Sequence, residues 1–230
     1  MYYYASYGLV IIGLIICLCA SANVKHSMKK YAKIPNSTGL TGAEVARRIL
    51  NNEGLYNVQI ECLMEAEGDH YDPQCNTVRL SFDNFNKATV TAAGVAAHEC
   101  GHAIQHAKGY APLNFRTSLV PVVNIGSQLG FPIILLGVIL SYNQTLIQIG
   151  IWAFSLTLIF QLATLPVEFN ASTRAIEKLS QYGLVSTEEN NGCRKVLFAA
   201  ALTYVAAAAA SALQVLRLIL IYGGGGRRRK

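Results

Sequence analysis

The sequence predicts an α-helical integral membrane protein with about four membrane-embedded helices and a small α+β region between the first two. Three observations predict it. The chain is 52% hydrophobic and only 14% charged, against a usual charged share of ~25%. Its apolar residues gather in four long blocks, while the stretch after the first block alternates between strand-like and helix-like patterns. Its net charge of +6 comes from Lys and Arg that flank those blocks. They form no basic stripe with interleaved aromatics, so no nucleic-acid partner is expected, and a lipid bilayer is.

The elements follow in order. Residues 1–22 are the expected N-terminal transmembrane anchor. Tyr2 to Ala22 carries no charge, and about 20 residues at about 1.5 Å each cross a bilayer. A cleaved secretory signal would put basic residues before a shorter apolar core; here Lys25, Lys29, Lys30 and Lys33 follow it. Tyr2, Tyr3, Tyr4 and Tyr7 suit a membrane interface. Residues 23–117 form the α+β region. Gly39 to Asn52 is an amphipathic helix opened by a Thr41–Glu44 capping box, with Val45 and Ile49 on one face, and closed by Gly54. Val58 to Leu63 and Thr77 to Phe82 alternate as strands do. Joined by a long polar connection, they predict a two-stranded hairpin. Thr91 to Ala107 is an Ala-rich helix ended by Lys108 and Gly109.

Residues 118–165 form a transmembrane helical hairpin that turns at Ser141 to Gln144. Pro166 opens a further helix, as proline does at a helix start. That segment, 166–195, carries Glu168, Arg174, Glu177 and Lys178 and is interrupted by Gly183. Residues 196–222 are a fourth apolar helix with Arg217 near its end. Residues 223–230 are a flexible basic tail. Six cysteines occur without a C-x-x-C pair, which fits a reducing compartment and free thiols. A Cys62–Cys75 pairing across the hairpin is the alternative.

Basic residues favour the cytoplasmic side of a membrane. Ten lie between the first and second blocks, four between the third and fourth, and none in the turn at Ser141 to Gln144. The N-terminus is therefore expected outside and the α+β region in the cytoplasm. The tail, Arg227 to Lys230, opposes this if the fourth block crosses fully.

The Ala-rich helix contains His98-Glu99-Cys100-Gly101-His102, an H-E-x-x-H. Residues four apart share a helix face, so His98 and His102 can present two imidazoles to one metal ion. Glu99 lies beside the first, where a carboxylate can reach water at that ion. This is the arrangement of a zinc hydrolase, and it makes the α+β region zincin-like and catalytic. A catalytic zinc takes three protein ligands and leaves a position for water. A histidine six residues beyond His102 is absent, since Lys108 stands there. His106 is one turn too far along and is expected at the surface or behind the ligands. Glu168 is the best third ligand, because the helical hairpin returns the chain to where it left. Position alone explains Glu168 equally well as an acidic residue at a helix N-terminus.

Ala96 to Ala107, Tyr110-Ala111-Pro112-Leu113, Leu165 to Ser172, Asp69 to Pro73 and Thr77 to Ser81 together resemble the neutral zinc metallopeptidases of bacterial membranes, the YugP-type family. The resemblance covers nearly the whole chain and implies a multi-pass zinc peptidase of the bacterial cell membrane. It also strengthens Glu168 as a ligand. The site is similar, more distantly, to the gluzincin pattern of the HtpX-like and CAAX prenyl proteases, where the third ligand lies in E-x-x-A-D. Glu168-Phe169-Asn170-Ala171-Ser172 matches at Glu and Ala but has Ser in place of Asp. That Asp would support a ligand histidine.

The expected activity is that of a zinc-dependent metalloendopeptidase, with Glu99 as general base and a peptide or membrane protein as substrate. His70, Tyr71, Arg174 and Tyr204 are candidate donors to the transition state or substrate. Thr77 to Phe82 could pair with an extended substrate if it is an edge. Two other readings stand beside this one. A site-2-type intramembrane protease would need the motif within a span and an Asp ligand on another. A membrane scaffold or chaperone-like protein with structural zinc would need a fourth protein ligand.

Overall fold

The computed structural model describes residues 2–64 and 68–222, and residues 2–6 only by their backbone. The tail at 223–230, the side chains of Tyr2, Tyr3 and Tyr4, and residues 65–67 of the polar connection lie outside what is described. The elements are α1 (Tyr2–Tyr31), α2 (Gly42–Asn52), β1 (Gln59–Leu63), β2 (His70–Asp72), β3 (Thr77–Ser81), α3 (Phe82–Asn86), α4 (Val90–Ala107), α5 (Ala111–Ile139), α6 (Gln144–Gln181) and α7 (Thr187–Tyr222). Among the described residues, α1, α5, α6 and α7 are long and apolar enough to cross a membrane. The molecule is thus a helical membrane protein with a small α+β region. The chain divides into two units.

One unit holds Met1–Ser21, Asn114–Leu165 and Thr203–Lys230. Its helices leave Ile11, Leu14, Ile125, Phe131, Ile139 and Trp152 exposed, as helices with lipid around them do. α5 and α6 approach closely where neither carries a side chain. A Cβ on Gly150 would come 2.8 Å from the Gly130 carbonyl oxygen, so only small residues fit this seam. Gln144 Nε2 donates to the Tyr222 carbonyl at 2.8 Å, and the Arg217 guanidinium lies 5.1 Å from the Tyr7 ring centroid. The last turns of α7 therefore lie beside the first turn of α6, which is the arrangement of a fourth helix running back along the third.

The other unit holds Ala22–Leu113 and Pro166–Leu202. Its core is built from Ile49, Leu50, Val78, Leu80, Val90, Ile104, Leu179 and Leu184. The Thr41–Glu44 capping box forms as the sequence predicts, and the Thr41 side chain caps α2. The strands pair differently from the expected hairpin. β1 runs parallel to β3, and β2 runs antiparallel to it, in the order β1-β3-β2. The connection after β1 is long enough to carry the chain back along the sheet, and it contributes β2 on the way. The tight turn lies instead between Asp72 and Thr77. There Asp72 Oδ1 accepts from the Gln74 N–H at 2.9 Å, and Asn76 takes a left-handed φ of 52°. β3 is the central strand, so the edges are β1 and β2. It stops at Ser81, because Phe82 already begins α3.

α6 also departs from expectation. Pro166 lies inside one continuous helix of 38 residues and does not open a new one. A proline there forfeits one helical hydrogen bond, and sequence alone cannot distinguish that case from a proline at a helix start. All six cysteines are free, Cys62 and Cys75 included.

Candidate metal centre

α4 is the central helix of its unit, with 14 of its 18 residues buried. That burial explains its composition, since a helix enclosed by neighbours can carry few large side chains. The four residues that are not buried are His98, His102, His106 and Ala107. The one open face of α4 is therefore a histidine stripe at four-residue spacing. Opposite it runs α6. Gly101 sets the distance between the helices, because a Cβ there would come 2.6 Å from the Ala171 carbonyl oxygen. The backbones touch at this point, which brings Glu168, one helical turn before Ala171, up to the histidines.

Glu168 Oε2 lies 3.3 Å from His98 Nε2 and 3.7 Å from His102 Nε2. These three atoms form the group that could hold a metal ion among the described residues. The donor set fits one. Tetrahedral zinc with ligands at about 2.0–2.1 Å spaces them about 3.3 Å apart. Oε2 is also buried with no hydrogen-bond partner, so it faces the two Nε2 atoms as an unsatisfied acceptor across a gap of ligand size. Burial works to raise the Glu168 carboxyl pKa, but the imidazoles of His102 and His98 outweigh it and hold it well below the usual carboxylate range. For His102, burial works to lower the imidazole pKa, and Glu168, Glu99 and Gln105 together raise it. Glu99 is 6% exposed. Burial pushes its carboxyl pKa up, and the two imidazoles only partly oppose this.

The imidazoles are held from behind. Ser172 Oγ lies 3.2 Å from His98 Nδ1, at the position where an aspartate is the alternative. Gln105 Oε1 lies 3.0 Å from His102 Nδ1. A chain of contacts determines the proton position on His102. Arg174 Nε, a donor only, donates to Asn170 Oδ1 at 2.8 Å. Gln105 Nε2 donates to that same oxygen at 3.0 Å and to the Val167 carbonyl at 2.8 Å. The Gln105 amide oxygen must then face His102, so Nδ1 carries the proton and Nε2 offers its lone pair. Gln105 is fully buried. It was not singled out from sequence, although a glutamine amid alanines three residues after His102 is a usable signal.

The remaining candidates are engaged elsewhere. His70 Nδ1 contacts the Gly68 carbonyl at 2.8 Å. The Tyr71 hydroxyl donates to Asn76 Oδ1 at 2.8 Å and contacts His106 Nδ1 at 2.8 Å. Arg174 is turned to Asn170, with Tyr110 under its guanidinium. Tyr204 belongs to α7 in the other unit.

Fold and site together define a helical membrane protein with a cluster of two histidines and one glutamate that could hold a metal ion. The chain belongs to the family described as "Putative neutral zinc metallopeptidase", whose model matches residues 6–223. It is 45% identical over 196 residues to the "Putative membrane protease YugP" of Bacillus subtilis (strain 168), covering 85% of this chain and 87% of that protein. No solved structure matches the chain.

Proposed function

We propose that the protein is a membrane-embedded zinc metalloendopeptidase that hydrolyses peptide bonds of peptides or membrane proteins at the cytoplasmic membrane surface. The observation that carries this reading is the convergence of His98 Nε2, His102 Nε2 and Glu168 Oε2, with a buried carboxylate at Glu99. Zinc bound by these three residues supplies Lewis acidity, which acidifies water and polarises a carbonyl oxygen. The chain does the rest. Ser172 and Gln105 hold the imidazoles with Nε2 forward. The Glu99 carboxylate is a stronger base than a solvated one, because burial raises its pKa. It takes a proton from the attacking water and returns it to the leaving amine nitrogen. β2 is an edge strand packed against α4, so it offers backbone groups to an extended peptide, a role the central β3 cannot fill.

The other readings are weaker. A structural zinc wants a fourth protein ligand, and among the described residues the group has three members. α4 is not among the helices long and apolar enough to cross a membrane, which weighs against an intramembrane protease.

The test uses purified full-length protein. Glu99→Gln should keep zinc and lose cleavage by about 10²-fold or more, while Glu168→Ala should lose zinc by elemental analysis. Cleavage retained in Glu99→Gln would sink the mechanism, and full zinc occupancy in Glu168→Ala would sink the ligand set.

A further inference from the structure

Between the Phe169–Glu177 face of α6 and the Arg194–Ala201 face of α7 lies a cavity of about 360 Å³, within the range of about 300–1,000 Å³ typical of ligand sites. Phe169, Ile176, Leu197 and Phe198 make its walls apolar, and the Phe169 and Phe198 rings are exposed. Its polarity runs along the two helices. Glu177 lies eight residues beyond Phe169, and Arg194 seven before Ala201, which sets each charge about 10–12 Å from the apolar end. Both charged side chains are exposed. Beyond the apolar end, the same helix faces stay apolar and open. Leu162, two turns before Phe169 on α6, is exposed, and so is Val205, two turns after Phe198 on α7. Ser172 lines the cavity and meets His98 at Nδ1, whereas Nε2 is the atom that faces Glu168. An occupant therefore stands behind the metal centre and leaves it open. That placement suits a resident molecule rather than a substrate.

We propose that this cavity is a binding site for one phospholipid with a zwitterionic, primary-ammonium headgroup, that is, a phosphatidylethanolamine. The acyl chain lies between Phe169, Leu197 and Phe198 and continues over the exposed apolar faces of α6 and α7. The phosphodiester meets Arg194, whose planar guanidinium pairs with phosphate through two N–H donors. The ammonium donates to the Glu177 carboxylate. One cation and one anion at the polar end match one phosphate and one ammonium. A glycerol headgroup brings no cation for Glu177, and a choline headgroup brings no N–H. A free phosphate leaves the apolar walls uncovered.

The test uses full-length protein purified in detergent. Phosphatidylethanolamine, phosphatidylglycerol and phosphatidylcholine with matched acyl chains compete for it, and native mass spectrometry counts the lipid retained. The wild type should retain one phosphatidylethanolamine, favoured over each of the others by about 5-fold. Ala201→Phe fills the cavity from its buried wall and should lower retention by about 10-fold or more. Arg194→Ala should lower retention of all three lipids by about 5-fold, and Glu177→Gln should erase the preference for ethanolamine over glycerol. These last two positions are exposed, so their variants should keep the unfolding midpoint of the lipid-free protein. Glycerophosphoethanolamine, the headgroup without its chains, should not displace the lipid, and neither should inorganic phosphate.

Equal retention of the three lipids by the wild type overturns the proposal, as does retention that survives both Ala201→Phe and Arg194→Ala. The lipid would then be a general coat on the apolar helices. Displacement by glycerophosphoethanolamine or inorganic phosphate overturns the acyl-chain assignment. So does a labelled apolar peptide that binds wild type but not Ala201→Phe while lipid retention is unchanged, which would assign the cavity to peptide. None of these measurements reads cleavage, so the result is independent of the protease reading.

Discussion

At the scale of single residues, the candidate metal centre is shaped as much by what stands behind the imidazoles as by the three residues that could hold the ion. His98 and His102 were legible because four-residue spacing on a helix has one geometric meaning. Glu168 was legible only in combination, since an acidic residue near a proline has an equally ordinary explanation. Gln105 showed in the sequence only as a polar residue amid alanines, because its role depends on Asn170 and Arg174, sixty-five or more positions away in the chain. The structure makes that role testable. Gln105→Leu leaves His102 free to turn or to protonate the wrong nitrogen, so zinc affinity should fall about 10–100-fold in chelator competition. Unchanged affinity would show that the amide does not orient the ring.

Among elements, the contact of α4 with α6 matters most. Gly101→Ala would set a methyl group 2.6 Å from the Ala171 carbonyl oxygen. Backbone cannot yield cheaply, so the helices must part. Overpacking of this kind costs about 1–3 kcal/mol, and bound zinc should drop with it, read by thermal unfolding and elemental analysis on one sample. A second junction is Glu53, at the end of α2. Its carboxylate meets Lys178, the Tyr182 hydroxyl at 2.6 Å and Lys108 at 3.3 Å. Burial works to raise its pKa, but these partners hold it down at about 2. A folded-state pKa below the unfolded value of about 4.3 contributes stability above that value and loses it as pH falls toward 2. The unfolding midpoint of wild type should therefore exceed that of Glu53→Gln at pH 7, by about 2 kcal/mol in stability. The gap should close progressively between about pH 5 and pH 2; a gap independent of pH would refute the assignment. Sequence located these helices well, because caps and periodicity are local. It misassigned the strand pairing because β1 and β3 are joined through β2, and no local pattern records which strand lies between. It split α6 at Pro166 because proline's effect depends on the helix around it.

For the whole molecule, the four apolar helices were legible from composition, while their sidedness rests on charge. The turn between α5 and α6 carries no Lys or Arg, and the stretch after α1 carries many. An alkaline phosphatase reporter fused after Asn143 should be active, and one fused after Lys33 inactive. The reverse pattern would move the site to the other side of the membrane. α7 ends beside the start of α6, so a reporter after Tyr222 should behave like the one after Asn143, against the pull of the basic tail.

Ser172 bears on the charge of the centre. As ligands the two imidazoles are neutral, while Glu168 and Glu99 each bring one negative charge when ionised. Ser172 supplies an oxygen to His98 without adding a third. The protein groups then sum to the charge that a divalent cation cancels, and a neutral assembly suits a site where Glu99 and Glu168 are both nearly out of water. A carboxylate at position 172 would leave one negative charge in that interior without a counterion. With a divalent cation bound, the serine would therefore favour electroneutrality over ligand basicity, and the ion would keep more of its own positive charge.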